Sequence, residues 1–242
     1  MQIHGLNKTT LLDYPGHVAC TVFTGGCNFR CPFCHNADLV LAPHTQPVIP
    51  EDTFFAFLSK RKGILEGVCI TGGEPLLQKD LAAFIRRIRS FGLKVKLDTN
   101  GYLPDLLESL LAEGLLDYVA MDIKSSRHGY AAAAGLNGSN ASFDITKITR
   151  SIALLASFGI SHEFRTTVVK GLHTANDFAD IAEMIGGCEH YYLQSYEEKD
   201  SVLQFHTGEE ITPLSSFTPE ELRVFAKQLN NAGIPTTLRG IS

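Results

Sequence analysis

Short runs of β-branched, aromatic and other apolar residues recur along the chain, separated by longer segments with a helical period. The runs show little alternation between apolar and polar positions, which is typical of parallel strands covered on both faces. They predict strands at residues 18–23, 68–71, 95–98, 118–123, 163–169 and 191–195, with a last strand at 235–239.

The segments between these runs carry apolar stripes and signals for helix starts. Pro104 opens one of them, and Thr218-Pro219-Glu220-Glu221 has the form of a capping box with proline in the first turn. The pattern predicts helices at residues 79–91, 104–113 and 144–158, and two more that begin after Thr174 and Thr218. Residues 125–143 are predicted to form an excursion loop.

This alternation of strands and helices predicts an α/β fold with parallel strands, arranged as a barrel or as a doubly wound sheet. No Pro- or Ser-rich linker divides the sequence, so we expect a single domain over residues 1–242. Residues 1–17 are expected to be an N-terminal lead-in, and residues 18–240 the barrel. In a barrel, functional residues belong on the loops that follow the C-terminal ends of the strands.

Composition and charge narrow the classes of function. Hydrophobic residues make up 44% of the chain, which is enough for a sizeable core. The formal net charge of −5 gives no electrostatic support for a nucleic-acid partner. No apolar run is long enough to cross a bilayer, and no signal peptide opens the sequence, so we expect a cytoplasmic protein without a membrane partner.

Cys27, Cys31 and Cys34 fall close together, directly after the first predicted strand. Their C-x3-C-x2-C spacing lets a short loop turn three thiolates toward one point. A cubane iron–sulfur cluster usually takes four cysteines, so three would leave one iron open to an outside ligand. From the residues alone, the alternatives are a zinc site with His35, a dithiol pair and three unrelated cysteines. The remaining cysteines are expected to be small buried hydrophobic residues: Cys20, Cys69 and Cys188.

The stretch CNFRCPFCHN, residues 27–36, resembles the cluster loop of the radical S-adenosylmethionine (SAM) enzymes. The resemblance implies a partial (β/α)6 TIM-like barrel and one [4Fe–4S] cluster held by Cys27, Cys31 and Cys34. It implies that SAM binds the open iron, and that one electron cleaves SAM into methionine and a 5′-deoxyadenosyl radical. Phe33 matches the aromatic position beside the adenine.

Motifs after the later strands match other parts of the SAM site in that family. TGGEP (71–75) contains a Gly-Gly-Glu motif, LDTNG (97–101) offers groups for ribose hydroxyls, and MDIK (121–124) matches a D-x-K motif. The residues that the resemblance assigns to SAM binding are Phe33, Gly72, Gly73, Glu74, Asp98, Asn100, Asp122, Lys124 and Gln194. Taken alone, the same stretches also fit a Gly-Gly turn, an Asn-Gly turn and a buried Asp122–Lys124 ion pair.

Two further residues follow the fifth predicted strand. Arg165 is expected to reach the ligand from below, and His173 is expected to be an ordinary loop or cap residue. The resemblance to activating enzymes of that family also implies a monovalent cation held by the carboxylates of Asp98 and Asp122.

Residues 5–36, with the lead-in TLLDYPG, resemble the start of the activating proteins of anaerobic ribonucleoside-triphosphate reductase. That resemblance implies a glycyl radical enzyme as partner, whose backbone glycine loses an α-hydrogen, and a flavodoxin or ferredoxin as electron donor. Three alternatives stay open. The chain could activate a formate-lyase-like enzyme, act on a small molecule as 7-carboxy-7-deazaguanine synthase does, or be a zinc-binding module without activity.

Overall fold

One sheet runs through the protein, and each of its strands is hydrogen-bonded to the next strand along the sequence. The computed structural model of the protein describes residues 1–136, 143–198, 202–203 and 214–241. Within these residues the eight strands are β1 (Ile3–Thr10), β2 (Ala19–Thr24), β3 (Gly67–Gly72), β4 (Lys94–Thr99), β5 (Tyr118–Asp122), β6 (His162–Val168), β7 (Tyr191–Ser195) and β8 (Thr236–Arg239). Strand β1 is antiparallel to β2, and β2–β8 are parallel.

Helices connect the parallel strands and cover the outer face of the sheet. They are α1 (Ala37–Leu41), α2 (Glu51–Lys60), α3 (Leu81–Arg89), α4 (Pro104–Ala112), α5 (Tyr130–Ala133), α6 (Ile145–Phe158), α7 (Ala175–Met184) and α8 (Pro219–Asn231). Both predicted threonine starts are capping boxes, because Thr174 pairs with Asp177 and Thr218 with Glu221. None of the described helices is both long and apolar enough to span a membrane.

The α/β barrel predicted from sequence is confirmed, and the described residues contain one strand and three α-helices that were not predicted: β1, α1, α2 and α5. The lead-in contains β1, whose residues are mostly exposed or half-buried, so no strand-like apolar run marked it. Helix α2 was also missed. The predicted excursion loop contains α5, while residues 137–142 of that stretch lie outside the described part of the chain.

The outer face of the strands is apolar. Val22, Ile70, Leu97 and Val119 are neighbours in register across β2–β5. All four are fully buried and belong to the same hydrophobic core as the helix residues packed on them. Burial of such side chains is the main favourable contribution to folding.

Alternate residues of the same strands face the interior of the barrel and are polar. Thr21, Cys69, Lys96 and Tyr118 form the matching row in register. Lys96 is only 1% exposed; its ammonium group pairs with Asp98 and lies 3.8 Å from the Cys69 Sγ. The interior of the barrel is therefore polar and contains charged side chains, although the strands are largely apolar in sequence.

The lead-in closes the bottom of the barrel interior. Asp13 accepts a hydrogen bond from the hydroxyl of Thr21, and the ring of Tyr14 is 2% exposed. Tyr14 lies 6.0 Å from Tyr118, centroid to centroid, and a side chain at Gly67 would come within 2.8 Å of its ring. The sequence DYPG thus acts as a plug at the N-terminal ends of the strands.

We predict that Leu97→Ala lowers the free energy of unfolding by about 2–5 kcal/mol, because it leaves a cavity between β4 and its helices. Leu12→Ala is the matched control, since Leu12 is 89% exposed, and it should change that free energy by less than about 0.5 kcal/mol. Urea unfolding followed by circular dichroism gives both values. Equal effects of the two substitutions would contradict the assignment of the core.

Candidate active site

The cysteine loop (residues 25–36) leaves the C-terminal end of β2 through two glycines. Gly26 has a positive φ of 83°, and its N–H donates to the carbonyl of Leu39 at 2.7 Å. Its carbonyl accepts from the N–H of Glu74 at 2.8 Å. A Cβ on Gly73 would lie 2.0 Å from that carbonyl oxygen, so glycine at 73 is what allows the two loops to touch.

The segment that contains α5 supports the cysteine loop from the other side. The N–H of Arg30 donates to the carbonyl of Ala134 at 2.9 Å, just after α5. Gly135 has a φ of 68°, and a Cβ there would meet the Arg30 carbonyl at 1.9 Å. The loop is therefore held between two glycine contacts before any ligand binds.

Cys27, Cys31 and Cys34 line one cavity above the barrel, which encloses about 870 Å³ of empty space and opens partly to solvent. Burial raises the pKa of the Cys27 thiol to about 11 and that of Cys31 to about 12, and it also raises the pKa of Cys34. Thiols in this state are protonated at neutral pH. Reactive free thiolates are therefore disfavoured in the cavity, and binding of iron would have to displace these protons.

The donor set of the cavity fits a cubane cluster better than a single ion. Among the described residues, no group of three or more His, Cys, Asp or Glu side chains converges on one metal position. The zinc site with His35 therefore has no support in the geometry. A cubane cluster binds each thiolate through a different iron, so its three cysteines need only share a cavity, as they do here.

Charged residues at the ends of β4, β5 and β6 line the same cavity. The guanidinium of Arg165 lies between Asp122, with Nε 2.9 Å from Oδ1, and Asp98, with Nη1 3.2 Å from Oδ2. Lys124 Nζ donates to Asp122 Oδ2 at 3.0 Å, and Lys96 pairs with Asp98 from below. The two carboxylates that sequence suggested for a monovalent cation are thus bridged by an arginine.

These ion pairs fix the charge states of the cavity. Burial acts to raise the pKa of Asp122, but Arg165 and Lys124 outweigh it and lower that pKa to about 2. Burial also acts to raise the pKa of Asp98, but Arg165 and Lys96 hold that pKa below its usual range. Burial also acts to lower the pKa of Lys124, yet Asp122 raises it overall. All these groups are therefore ionised at neutral pH.

Glu74 occupies a different position from the one predicted for it. The side chain is 1% exposed and is not among the residues that line the cavity. Its carboxylate accepts hydrogen bonds from the N–H of Leu76 at 3.0 Å, the hydroxyl of Thr99 at 2.8 Å and the N–H of Asn100 at 2.7 Å. Glu74 thus joins the Gly-Gly loop to the end of β4 and has no free oxygen directed at the cavity.

His173 is more than the loop or cap residue expected from sequence. It is 3% exposed; Nε2 lies 2.8 Å from the carbonyl of Lys124, and Nδ1 lies 3.0 Å from the N–H of Val169. Burial lowers the pKa of this imidazole. A neutral ring that donates from Nε2 and accepts at Nδ1 satisfies both contacts and fixes the backbone at Lys124.

The structure brings most of the predicted site residues together. Those that line the cavity are Cys27, Cys31, Phe33, Cys34, Gly72, Gly73, Asp98, Asn100, Asp122 and Lys124. Glu74 and Gln194 do not line it. Gln194 lies half-buried on β7, where its backbone pairs with Thr167 and Arg239, one strand farther from the cysteine loop than β6.

Arg165, which is expected from sequence to reach the ligand, lines the cavity, and its position on β6 repeats the strand-end pattern of Asp98 and Asp122. Other lining residues were not assigned to the site from sequence, among them Asn36 and Thr99. Asn36 also lines the cavity and donates from Nδ2 to the carbonyl of Gly72 at 2.9 Å. The sequence feature that could have indicated Asn36 is its place at the end of the cysteine motif, in CHN (34–36). Thr99 also lines the cavity. It lies between Asp98 and Asn100, and the interpretation of this stretch considered only those two residues and an Asn-Gly turn.

Comparison with known proteins agrees with this geometry. The sequence profile of the Radical SAM superfamily matches residues 21–185. A Methanocaldococcus jannaschii protein provisionally named a glycyl-radical enzyme activating enzyme is 32% identical over 228 residues, or 93% of this chain and 90% of its own length. The pyruvate formate-lyase-activating enzyme of Clostridium pasteurianum is 28% identical over 81% of this chain and 82% of its own. A radical SAM methyltransferase from Sphaerobacter thermophilus has the same fold, with a TM-score of 0.71 at 17% identity over 93% of this chain and 67% of its own.

We predict that Glu74 makes stability depend on pH. Burial raises the pKa of its carboxyl to about 7, although its three hydrogen bonds act to lower it. Glutamate in an unfolded chain titrates near about 4.3, so between these values the folded protein holds a proton that the unfolded chain has released. The stabilising effect is present at low pH and is lost as pH rises through about 7.

Relative to Glu74→Gln, the wild type should therefore gain about 2 kcal/mol in free energy of unfolding when pH falls from about 8 to about 5.5. Urea unfolding of both proteins at the two pH values measures this difference. Glu220→Gln, at a side chain that is 77% exposed, reports the effect of the same substitution on the surface. A Glu74→Gln difference that does not change with pH would show that the carboxylate stays ionised.

Proposed function

We propose, from the premise that this chain belongs to the radical SAM superfamily and to its glycyl-radical-enzyme activating enzymes, that it activates an anaerobic ribonucleoside-triphosphate reductase. The chain would remove an α-hydrogen from a backbone glycine of that reductase and leave a glycyl radical there. The observation that carries the proposal is the juxtaposition of three thiols with four paired charges in one cavity.

The [4Fe–4S] cluster, when bound, supplies the single electron that cleaves SAM. Cys27, Cys31 and Cys34 would hold it at the wall of the cavity.

The opposite wall offers groups that match the charges of SAM. Lys124 and Arg165 are cations suited to its carboxylate, and Asp122 and Asp98 are anions suited to its ammonium and sulfonium groups. Gly72 and Gly73 also line the cavity, so their backbone can contact a bound ligand. Phe33 is 5% exposed and offers an aromatic face for the adenine.

The choice of reductase rests on the lead-in and on residues 5–36, which resemble the start of the reductase-activating proteins. Within the lead-in, DYPG plugs the bottom of the barrel, opposite the cavity, and no residue of TLLDYPG lines the cavity. The resemblance is therefore one of sequence and carries no argument from the geometry of the site. Similarity to the pyruvate formate-lyase-activating enzyme favours a formate-lyase-like enzyme as the second candidate partner. We further propose a flavodoxin or ferredoxin as electron donor and a cytoplasmic location, which the six free thiols support.

The partner is tested by mixing the anaerobically reconstituted protein with SAM, a reductant and each candidate enzyme in turn. We expect a glycyl radical signal in electron paramagnetic resonance (EPR) with the anaerobic reductase, and no signal when its radical-forming glycine is changed to alanine. A radical only on a formate-lyase-like enzyme would overturn the choice of partner. SAM cleavage without a radical on either enzyme would overturn the activase function.

The cluster ligands are tested separately. Cys27→Ala, Cys31→Ala and Cys34→Ala should each reduce SAM cleavage below detection, because each removes one ligand of the cluster. Cys188→Ala is the control, since this thiol is also buried but lies outside the cavity, and it should retain iron and cleavage. Release of 5′-deoxyadenosine measures cleavage, and colorimetric iron assays measure loading. Full cleavage by any of the three cavity variants would contradict the ligand assignment.

A further inference from the structure

A lysine lies in the interior of the barrel, directly beneath one of the carboxylates of the cavity. Lys96 is on β4, two residues before Asp98, and its side chain is 1% exposed. Its ammonium group pairs with Asp98 Oδ1, and it lies 3.8 Å from the Cys69 Sγ and 5.9 Å from the centroid of the Tyr118 ring. An ammonium group taken out of water costs free energy that only its partners can offset, so its place in the barrel interior calls for a reason.

Each carboxylate oxygen at the ends of β4 and β5 has a cationic donor. Arg165 donates from Nη1 to Asp98 Oδ2 at 3.2 Å and from Nε to Asp122 Oδ1 at 2.9 Å. Lys124 donates to Asp122 Oδ2 at 3.0 Å, and Lys96 holds the fourth oxygen, Asp98 Oδ1. Among the described residues, the only other cation paired with Asp98 is the guanidinium that it shares with Asp122. Lys96 therefore completes the compensation of the Asp98 charge.

The charges of this group oppose the binding of a further cation. The two carboxylates face three cations, Lys96, Lys124 and Arg165, which leaves one positive charge in excess. Glu163, the other buried carboxylate near Arg165, is already paired through both oxygens with Arg239, at 3.2 and 3.1 Å. An ion that gives up its water needs uncompensated negative charge in return, and this group offers none. The residues therefore do not fit the monovalent cation that the resemblance to activating enzymes implies at these carboxylates.

From this we propose that Lys96 is a positioning residue, whose ammonium group does at Asp98 what a bound monovalent cation would otherwise do. It neutralises the carboxylate and holds it in place at the mouth of the barrel, where Asp98 lines the cavity. Because this cation is part of the chain and cannot dissociate, the site works without potassium or sodium ions. The proposal rests on the binding of SAM in this cavity, and it needs no particular protein partner.

The wild type is tested first, as the anaerobically reconstituted full-length protein without reductant and without any partner enzyme. Equilibrium dialysis gives the dissociation constant of SAM in KCl, in NaCl and in N-methyl-D-glucamine chloride, whose cation is too large for the site. The three salts are used at the same ionic strength, and thermal unfolding without SAM is followed in each of them. We expect no difference between the salts in either measurement. Tighter SAM binding or a higher unfolding temperature in KCl or NaCl would overturn the proposal.

Lys96→Met removes the charge and leaves space beside Asp98 for an ion of the size of an ammonium group, which potassium matches. In N-methyl-D-glucamine chloride this variant should bind SAM about fivefold or more weakly than the wild type, and KCl should restore the binding. KCl should also raise its unfolding temperature by about 2–4 °C, which is the shift expected when an ion binds only the folded state at a few times its dissociation constant. A lysine with only a structural role would give no such response to potassium.

Lys94→Met is the matched control, since Lys94 lies on the same strand but is exposed, and it should behave as the wild type in all three salts. Lys96→Gln is the second variant, in case methionine prevents folding, because it removes the charge and keeps a polar end. Lys96 variants that fold but do not respond to potassium would overturn the proposal, and so would variants that stay unfolded in every salt.

The outcome can be separated from that of the proposed function. Failure to form a glycyl radical on either candidate enzyme would leave the dialysis and unfolding measurements unaffected. A wild type that binds no SAM would contradict the proposed function, while the unfolding temperatures in the three salts would still decide the role of Lys96.

Discussion

The buried guanidinium of Arg165 is the constraint on which the site depends. It spans Asp98 on β4 and Asp122 on β5 while its own backbone lies on β6, so a single side chain ties together the ends of three neighbouring strands. An ion pair taken out of water is costly unless every charge finds partners, and breaking one side leaves an uncompensated charge. The network therefore holds each carboxylate in one position at the mouth of the barrel. Rigid charges cost no rearrangement when a charged ligand arrives.

A second chain of contacts carries this rigidity to the cysteine loop. The carbonyl of Gly26 holds Glu74, whose carboxylate holds the backbone of Asn100, and the Asn100 amide returns to Asn28 beside Cys27. The circuit closes on itself and crosses from β2 to β3 to β4. The first link is possible because glycine at 73 allows its loop to approach the Gly26 carbonyl. Glu74 thus positions residues that line the cavity, such as Asn100, without lining the cavity itself.

The sequence predicted the repeating strands and helices well because burial imposes a regular period on their apolar residues. The sequence also predicted that the three cysteines lie close together in space, since their spacing along the chain is short. It did not reveal β1, because an exposed edge strand needs no apolar run. Nor did it reveal what Glu74 and Arg165 do. Those roles depend on contacts between residues far apart in sequence, such as Glu74 with Asn100 and Arg165 with Asp98, and only the closing of the barrel brings them together.

Lys124 interacts with both the charged wall of the cavity and the cysteine loop. It is paired with Asp122 on the charged wall, and its ammonium group also lies 5.8 Å from the ring of Phe33 on the cysteine loop. Its positive charge acts to lower the pKa of all three cavity thiols, against the larger effect of burial. A cation in this place favours the thiolates that bind iron and, at the same time, an anionic ligand group beside them. The same side chain therefore links the charged wall to the cysteine loop, and His173 fixes its backbone just beyond the end of β5.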